Sequence, residues 1–398
     1  MRLLRLDGRE FPGTAITIGM KRAIVIVLDG CGAGAAPDAD AFGDHDHPST
    51  VKHVWEAVGG FQAPTLSALG FLAACGIESE IGLAGFGSRY GRLREISMGK
   101  DSVTGHWEMM GIHTDEAFPT YPHGFPADLM EAFEREIGIK TLGNKPASGT
   151  AIISELGPEH LRTGFPIVYT SADSVFQVAC HEEVVPIERL YEMCLVARKL
   201  CQKPNHVQRV IARPFIGSEQ NGFKRTERRK DFPYPAPPNL VDQIGDVYGV
   251  GVVPELFGGR GFREVKRTQS NVEHAVALKQ AMASDARFIF ANFEDTDMLF
   301  GHRNDPQGFA KCLEDFDGTL RGVLEALTED DLLILTADHG NDPTDASTDH
   351  SREFVPVVVV GRSLRSENLG DTEGMMAVGA TVAQQLGLNW KIGTSLIG

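Results

Sequence analysis

Leu332-Leu333-Ile334-Leu335-Thr336-Ala337-Asp338-His339-Gly340 is an apolar run that leads directly into a carboxylate and an imidazole. Short runs that are apolar at every position are typical of strands covered on both faces of a parallel sheet. Asp338 and His339 would then lie at the strand's C-terminal end, where open α/β sheets bind ligands. Another imidazole, His350, follows eleven residues after His339. This arrangement of Asp and His indicates a metal site.

Three more apolar runs have the same character, and together the four predict the fold class. The three lie at residues 23–28, 288–293 and 355–360, and we expect all four to be central parallel strands. Segments 272–282 and 308–327 have apolar residues at helical spacing. This alternation predicts an α/β core with a mostly parallel sheet between helices.

The middle of the chain predicts a second domain. Residues 116–232 contain strand and helix candidates of their own, and a Pro-rich run follows at 233–238. Such a run cannot continue a helix or a central strand, so it predicts a linker. We expect a core domain in two parts, 20–115 and 233–398, with an inserted α+β cap domain at 116–232. We expect residues 1–19 to be an N-terminal extension without a functional role.

Composition excludes several classes of function. The formal net charge of −16 disfavours nucleic-acid binding, which depends on Lys and Arg that neutralise phosphates. No apolar stretch approaches the ~18 residues of a spanning helix, so we expect no membrane role. The six cysteines form no CxxC pair, which favours reduced thiols in a cytoplasmic protein. Nothing in the sequence predicts an obligate protein partner.

Two of the other three predicted strands also lead into candidate metal ligands. The full set contains three carboxylates and three imidazoles: Asp29, Asp297, His302, Asp338, His339 and His350. Oxygen and nitrogen ligands without thiolates suit Mn²⁺ or Zn²⁺. Six ligands exceed the needs of one tetrahedral site and suit two metals that bridge a transferred group. The alternative is that each Asp is a helix N-cap and each His an ordinary polar residue.

A second dense motif lies at Gly99-Lys100-Asp101-Ser102-Val103-Thr104-Gly105-His106-Trp107-Glu108. A hydroxyl at a helix start beside a divalent metal can ionise and attack phosphorus. Ser102 and Thr104 both fit this role, and their spacing does not choose between them. The alternative is that Thr104 only caps the helix, with Glu108 one step beyond the capping-box spacing.

Five blocks of sequence together resemble the phosphopentomutase family of the alkaline phosphatase superfamily. The resemblance runs from Met20 to near the C-terminus. The blocks, in chain order, are Met-Lys-Arg-Ala with Val-Leu-Asp-Gly near the start, the segment from Gly99 to Glu108, Tyr169-Thr170-Ser171-Ala172-Asp173-Ser174, Arg209-Val210-Ile211-Ala212-Arg213-Pro214-Phe215, and Leu335-Thr336-Ala337-Asp338-His339-Gly340.

The resemblance implies an alkaline-phosphatase-like core that holds two Mn²⁺ per subunit. It implies interconversion of α-ribose 1-phosphate, or its 2-deoxy form, and ribose 5-phosphate, with a sugar bisphosphate as intermediate and activator. Thr104 would carry the phosphoryl group. The metal ligands would divide into two sets, Asp29, Asp338 and His339 in one and Asp297, His302 and His350 in the other.

The resemblance also assigns substrate contacts in the cap. Ser171 and Asp173 would contact the sugar, and Arg209 and Arg225 the substrate phosphate, because the guanidinium fork binds phosphate in two places. The alternative for Arg225 is a solvated position, since it lies in the charged run 224–230. The family usually has a Gly-Lys pair where this chain has Gly251-Val252. Either a nearby Lys266 or Arg267 replaces that lysine, or phosphate affinity differs, or the two segments do not correspond.

Three rival functions have the same metal ligands. A cofactor-independent phosphoglycerate mutase has its second Asp and His four residues apart and a Ser nucleophile. Here Asp297 and His302 are five apart, and Thr104 leads a Gly-His-Trp-Glu block, so both details favour the pentose enzyme. A phosphatase or phosphodiesterase needs no insert to retain a bisphosphate, so the long insert favours a mutase. A non-catalytic metal-binding protein needs no hydroxyl nucleophile.

Overall fold

The computed structural model describes residues 21–171, 174–264 and 268–398. The strands in these ranges are β1 (Arg22–Leu28), β2 (Gly87–Arg94), β3 (Leu142–Pro146), β4 (Ile167–Thr170), β5 (Val175–His181), β6 (Arg209–Ser218), β7 (Gly222–Arg225), β8 (Lys230–Pro233), β9 (Val247–Val250), β10 (Phe262–Glu264), β11 (Phe288–Phe293), β12 (Asp331–Thr336), β13 (Phe354–Gly361) and β14 (Glu367–Glu373).

The helices of the same ranges are α1 (Thr50–Val58), α2 (Pro64–Leu69), α3 (Phe71–Ala74), α4 (Ser102–Met109), α5 (Ala127–Ile137), α6 (Gly149–Thr163), α7 (Ile187–Leu200), α8 (Leu240–Ile244), α9 (Val253–Leu256), α10 (Asn271–Met282), α11 (Pro306–Ala326) and α12 (Ala377–Leu386). Short 3₁₀ turns occur at Ala39–Phe42 and Gly301–Arg303, and a π turn at Thr296–Phe300. None of these helices combines the length and apolarity needed to cross a membrane.

An eight-stranded sheet forms the larger layer, in the order β10-β9-β11-β1-β12-β13-β2-β14. The strands from β10 to β12 are parallel, and β1 lies between β11 and β12. Every residue of β1 after Arg22 is buried, as expected for a strand covered on both faces. Three of the four apolar runs are therefore central parallel strands, as predicted, and helices α10 and α11 lie where the helical spacing predicted them.

The prediction for the fourth run was wrong, because β13 is antiparallel to both of its neighbours, β12 and β2. The link between β12 and β13, residues 337–353, contains no helix. A parallel pair needs a long crossover, usually helical, whereas this link returns the chain in the opposite direction. All of β13 is buried, so its composition resembles that of a parallel strand.

A second sheet contains β3-β4-β5-β6-β7, with β8 paired to β6. Its strands show period-two alternation. Val168 packs with α5 and α7 on one face, while Ile167 and Tyr169 pack with α6 on the other. This sheet lies between Leu142 and Pro233, in the part of the chain predicted as an inserted domain. The exact domain bounds stay a prediction.

Helix α4 is held in the core by its own buried carboxylate. Glu108 accepts hydrogen bonds from the backbone N–H groups of Ile96, Ser97 and Met375. These contacts join α4 to the loop after β2 and to the segment before α12. Glu108 therefore takes no part in a capping box with Thr104, and the N-cap of α4 is Asp101.

We predict that Glu108→Gln destabilises the fold. A glutamine amide would direct an N–H group at backbone donors, and an unsatisfied buried donor costs roughly 1–3 kcal/mol. Urea unfolding should show this loss of free energy of unfolding, and Glu56→Gln, at an exposed position on α1, should show almost none. Equal stability of the two variants would contradict this account of α4.

Candidate metal centre and nucleophile

The predicted metal ligands gather at one edge of the large sheet. Asp29 directly follows β1, Asp297 lies in the π turn after β11, and Asp338 and His339 follow β12. Because these three strands are neighbours and parallel, their C-terminal ends open at the same edge. His350 reaches this edge from the link between β12 and β13.

The first group consists of Asp29, Asp338 and His339, all buried. The Nε2 atom of His339 lies 3.4 Å from Oδ1 of Asp29 and 3.4 Å from Oδ2 of Asp338. One potential ligand atom from each side chain lies within 4.8 Å of the others. This spacing leaves room for one ion among the three.

The second group consists of Asp297, His302 and His350. Oδ2 of Asp297 lies 3.2 Å from Nε2 of His302, and Oδ1 of Asp297 lies 3.5 Å from Nε2 of His350. The two Nε2 atoms are 3.2 Å apart. The His350 ring also lies 3.9 Å from the ring of His339, centroid to centroid, so the two groups adjoin. The structure thus brings all six predicted ligands together.

Neighbouring groups orient these side chains. Nδ1 of His302 lies 2.7 Å from the Thr348 carbonyl oxygen, and Nδ1 of His339 lies 3.1 Å from that of Gly340. Donation to these carbonyls leaves each Nε2 as the ligand atom. Two asparagines, unrecognised in the sequence, donate to ligand carboxylates: Asn292 to Asp29 and Asn341 to Asp297, each at 2.6 Å. Their only sequence signal is their position at or just beyond strand ends.

The donor atoms fit a divalent cation. Oδ1 of Asp29 and Oδ2 of Asp338 are buried and have no hydrogen-bond partner among the described residues. Buried carboxylates without donors are costly, and a cation between them would remove that cost. Carboxylate and imidazole donors without thiolate are the set that Mn²⁺ or Zn²⁺ accepts.

The same crowding perturbs the acidities of the cluster. Burial, followed by the charges of Asp338 and Asp297, raises the pKa of Asp29 well above its usual value. Burial alone would lower the pKa of His350, but the Asp297 carboxylate outweighs it and raises that pKa to about 9. Burial would likewise raise the pKa of Asp297, yet His350 and His302 hold it well below its usual range. In the absence of metal, protons therefore supply part of the positive charge.

The hydroxyl that faces this cluster belongs to Ser102. Its Oγ lies 3.1 Å from Nε2 of His339. Thr104 is fully buried, and its Oγ1 donates to Oδ2 of Asp101 at 2.7 Å. Two helical positions separate the hydroxyls of Ser102 and Thr104 and turn them to different sides of α4. The geometry therefore favours Ser102 as the phosphoryl carrier over Thr104, the residue that the resemblance implied.

The candidate substrate contacts of the cap lie in two clefts. Arg209 lines a cleft of about 400 Å³ that Val103 and Val252 also line. Arg225 lines another, of about 410 Å³, and Arg229 lines both. Ser171, the first candidate sugar contact, directly follows β4. Asp173, Lys266 and Arg267 lie outside the described residues.

The chain is similar to known proteins over nearly its whole length. The sequence model of the metalloenzyme superfamily matches residues 239–390. Phosphopentomutase from Carboxydothermus hydrogenoformans is 48% identical over 391 residues, which cover 95% of this chain and 99% of that one. Phosphopentomutase from Dictyoglomus thermophilum is 48% identical over 374 residues, or 92% and 94% of the two chains.

Among solved structures, the PH0037 protein from Pyrococcus horikoshii is 15% identical, with a TM-score of 0.50. The match covers 95% of this chain and 100% of that one. This likeness concerns the fold alone. Together with the sheet order, it confirms the predicted α/β class with a mostly parallel sheet between helices.

We predict that Mn²⁺ binding near pH 7 releases protons. His350, whose pKa is raised to about 9, is protonated there and must become neutral to bind a metal. Apparent affinity should therefore increase as pH rises toward that value. Calorimetric titration in two buffers of different ionisation enthalpy measures the released protons.

The controls are His350→Ala, which should release fewer protons, and His123→Ala, an exposed histidine whose replacement should change nothing. A binding enthalpy that is the same in both buffers would contradict the proposed role of His350.

Proposed function

The chain belongs to the phosphopentomutase family, and we propose that it interconverts α-D-ribose 1-phosphate, or its 2-deoxy form, and D-ribose 5-phosphate. It is an isomerase that moves a phosphoryl group within the substrate. The observation that carries the proposal is the Ser102 hydroxyl, 3.1 Å from His339 within a cluster of six candidate metal ligands. A hydroxyl in this position has the surroundings that phosphoryl transfer requires.

The ligand cluster supports two divalent metals, for which Mn²⁺ is the expected ion. Asp29, Asp338 and His339 would hold one, and Asp297, His302 and His350 the other. Metals bound there would favour ionisation of the Ser102 hydroxyl and neutralise charge on the transferred phosphoryl group. Asn292 and Asn341 orient the carboxylates, and the carbonyls beside His302 and His339 fix the imidazole tautomers.

The proposed cycle starts from phosphorylated Ser102. Its phosphoryl group passes to O5 of ribose 1-phosphate. The P–Oγ bond breaks and a P–O5 bond forms, O5 gives up its hydroxyl proton and Oγ takes one up, and ribose 1,5-bisphosphate results. The bisphosphate then turns around, and the phosphoryl group on O1 returns to Oγ. Ribose 5-phosphate leaves, and Ser102 is again phosphorylated. A trace of sugar bisphosphate would load the hydroxyl at the start.

Cationic side chains in the cap would hold the phosphate that is not being transferred. Arg209 lines the cleft nearest α4, and Arg225 lines the adjoining one with Arg213 and Arg229. Guanidinium groups suit this role because they bind phosphate in a bidentate manner. Val252 stands where the resemblance leads us to expect a lysine, but Arg229 and Lys230 both line the same cleft and offer cations there. We propose that Ser171 and Asp173 bind the sugar.

We predict that the Mn²⁺-loaded protein, given ribose 1-phosphate and a trace of ribose 1,5-bisphosphate, produces ribose 5-phosphate. Ser102→Ala should reduce kcat by on the order of a thousandfold or more, because no oxygen is left to carry the phosphoryl group. A coupled assay for ribose 5-phosphate measures both.

Thr104→Val, which keeps the shape and removes the hydroxyl, is the matched control. It should keep far more activity than Ser102→Ala, because it loses one hydrogen bond to Asp101 and not the proposed nucleophile. Loss of turnover in that variant with normal turnover in Ser102→Ala would refute the choice of nucleophile. Release of inorganic phosphate by the native protein as fast as ribose 5-phosphate appears would make it a phosphatase instead.

A further inference from the structure

Gln208 is the residue through which the cap contacts the start of the nucleophile's helix. We propose that Gln208 is a positioning residue that makes placement of Ser102 depend on a seated cap. This inference rests on the proposed function, since it concerns the hydroxyl assigned there as nucleophile. It assigns Gln208 no contact with substrate or metal.

The first observation is a hydrogen bond between the two domains. Nε2 of Gln208, a buried side chain, donates to Oδ1 of Asp101 at 2.7 Å. The same oxygen accepts the backbone N–H groups of Val103 and Thr104, at 3.0 and 3.3 Å. Asp101 is the N-cap of α4, which begins at Ser102. The Asp101 carboxylate therefore connects the cap to the start of α4, next to Ser102.

The second observation is that the backbone of Gln208 is fixed on the cap side. Its carbonyl oxygen accepts from the Tyr234 backbone N–H at 2.7 Å and from Nη1 of Arg198 at 3.2 Å. Its own N–H donates to Oγ of Ser174, and the next residue, Arg209, donates to the Ser174 carbonyl oxygen. A side chain held in this way transmits a displacement of the cap instead of absorbing it.

The third observation is the location of this bond beside both connections between the domains. Phe118 lies near the start of the predicted cap and Tyr234 just after its end, and their ring centroids are 5.8 Å apart. The His206 ring lies 4.5 Å from Phe118 and 4.8 Å from Tyr234. Trp107, on α4 itself, lies 6.0 Å from Phe118. Both chain crossings therefore pack together next to α4.

Because of these contacts, the Asp101 carboxylate would be held differently when the cap is seated and when it is displaced. With the cap seated, its Oδ1 accepts three donors and its orientation is set from both domains. With the cap displaced, the Gln208 donor is lost and the carboxylate is held by α4 alone. An enzyme of this kind must retain the bisphosphate while the bisphosphate turns around. It therefore needs a nucleophile that reacts only when the cap is seated on the core. The Gln208–Asp101 bond supplies such a dependence, and the coupling acts equally in both directions.

The test compares Gln208→Ala and Gln208→Glu with native protein and with Gln202→Ala. Gln202 is a matched control, because its side-chain amide also donates one hydrogen bond, but within the cap, to the Arg198 carbonyl oxygen. The glutamate variant keeps the size of the side chain and sets a second carboxylate against Asp101. All four proteins receive Mn²⁺, ribose 1-phosphate and a trace of ribose 1,5-bisphosphate.

Two quantities are measured. The first is the amount of free bisphosphate and inorganic phosphate released for each ribose 5-phosphate formed. This ratio should rise about tenfold in Gln208→Ala, because that variant loses one hydrogen bond to a charged group. It should rise further in Gln208→Glu. The second is hydrogen exchange at the amides of Val103 and Thr104, which should be faster in Gln208→Glu than in native protein. Gln202→Ala should match native protein in both.

The inference is overturned if both Gln208 variants match Gln202→Ala in released bisphosphate and in amide exchange. It is also overturned if the Gln208 variants are less stable than native protein but release the same amount of bisphosphate per ribose 5-phosphate formed. That result would make the role of Gln208 merely structural. Failure of the native protein to form ribose 5-phosphate would instead refute the proposed function. Amide exchange would still decide whether Gln208 positions the start of α4.

Discussion

The mutual repulsion of buried carboxylates at one edge of the large sheet is the constraint on which the rest of the structure depends. Asp29, Asp297 and Asp338 are brought together because β11, β1 and β12 are parallel neighbours. Two of their oxygens are buried without a hydrogen-bond partner among the described residues. A cluster of this kind requires positive charge, from protons on imidazoles when it is empty and from metal ions when it is filled.

Helix α4 is positioned beside that cluster. Helix α4 is held at its C-terminal half by Glu108 and at its start by Asp101, so the Ser102 hydroxyl is fixed beside His339. His106 adds a further link, since its Nδ1 lies 2.8 Å from the Ser102 carbonyl oxygen and 3.3 Å from the Asp338 carboxylate. His106 therefore contacts both Ser102 and Asp338, a member of the first ligand group.

The sequence predicted the candidate metal ligands, but it did not predict the direction of every strand. Apolar runs followed by Asp or His predicted β1, β11 and β12 and pointed to the six side chains that gather at their ends, because burial and ligand chemistry restrict residue type. They could not give the direction of β13, since a buried strand has the same composition whether parallel or antiparallel. They could not choose between Ser102 and Thr104, which lie about 200° apart around a helix. The choice depends on contacts from distant segments, Asp101 to Gln208 among them.

The most direct test is to locate the phosphoryl group on the protein. Native protein incubated with ribose 1,5-bisphosphate would be quenched in acid, digested and sequenced by tandem mass spectrometry across Ser102 and Thr104. The account predicts one phosphoryl group, on Ser102. A phosphoryl group on Thr104, or turnover by a protein that never becomes phosphorylated, would contradict it.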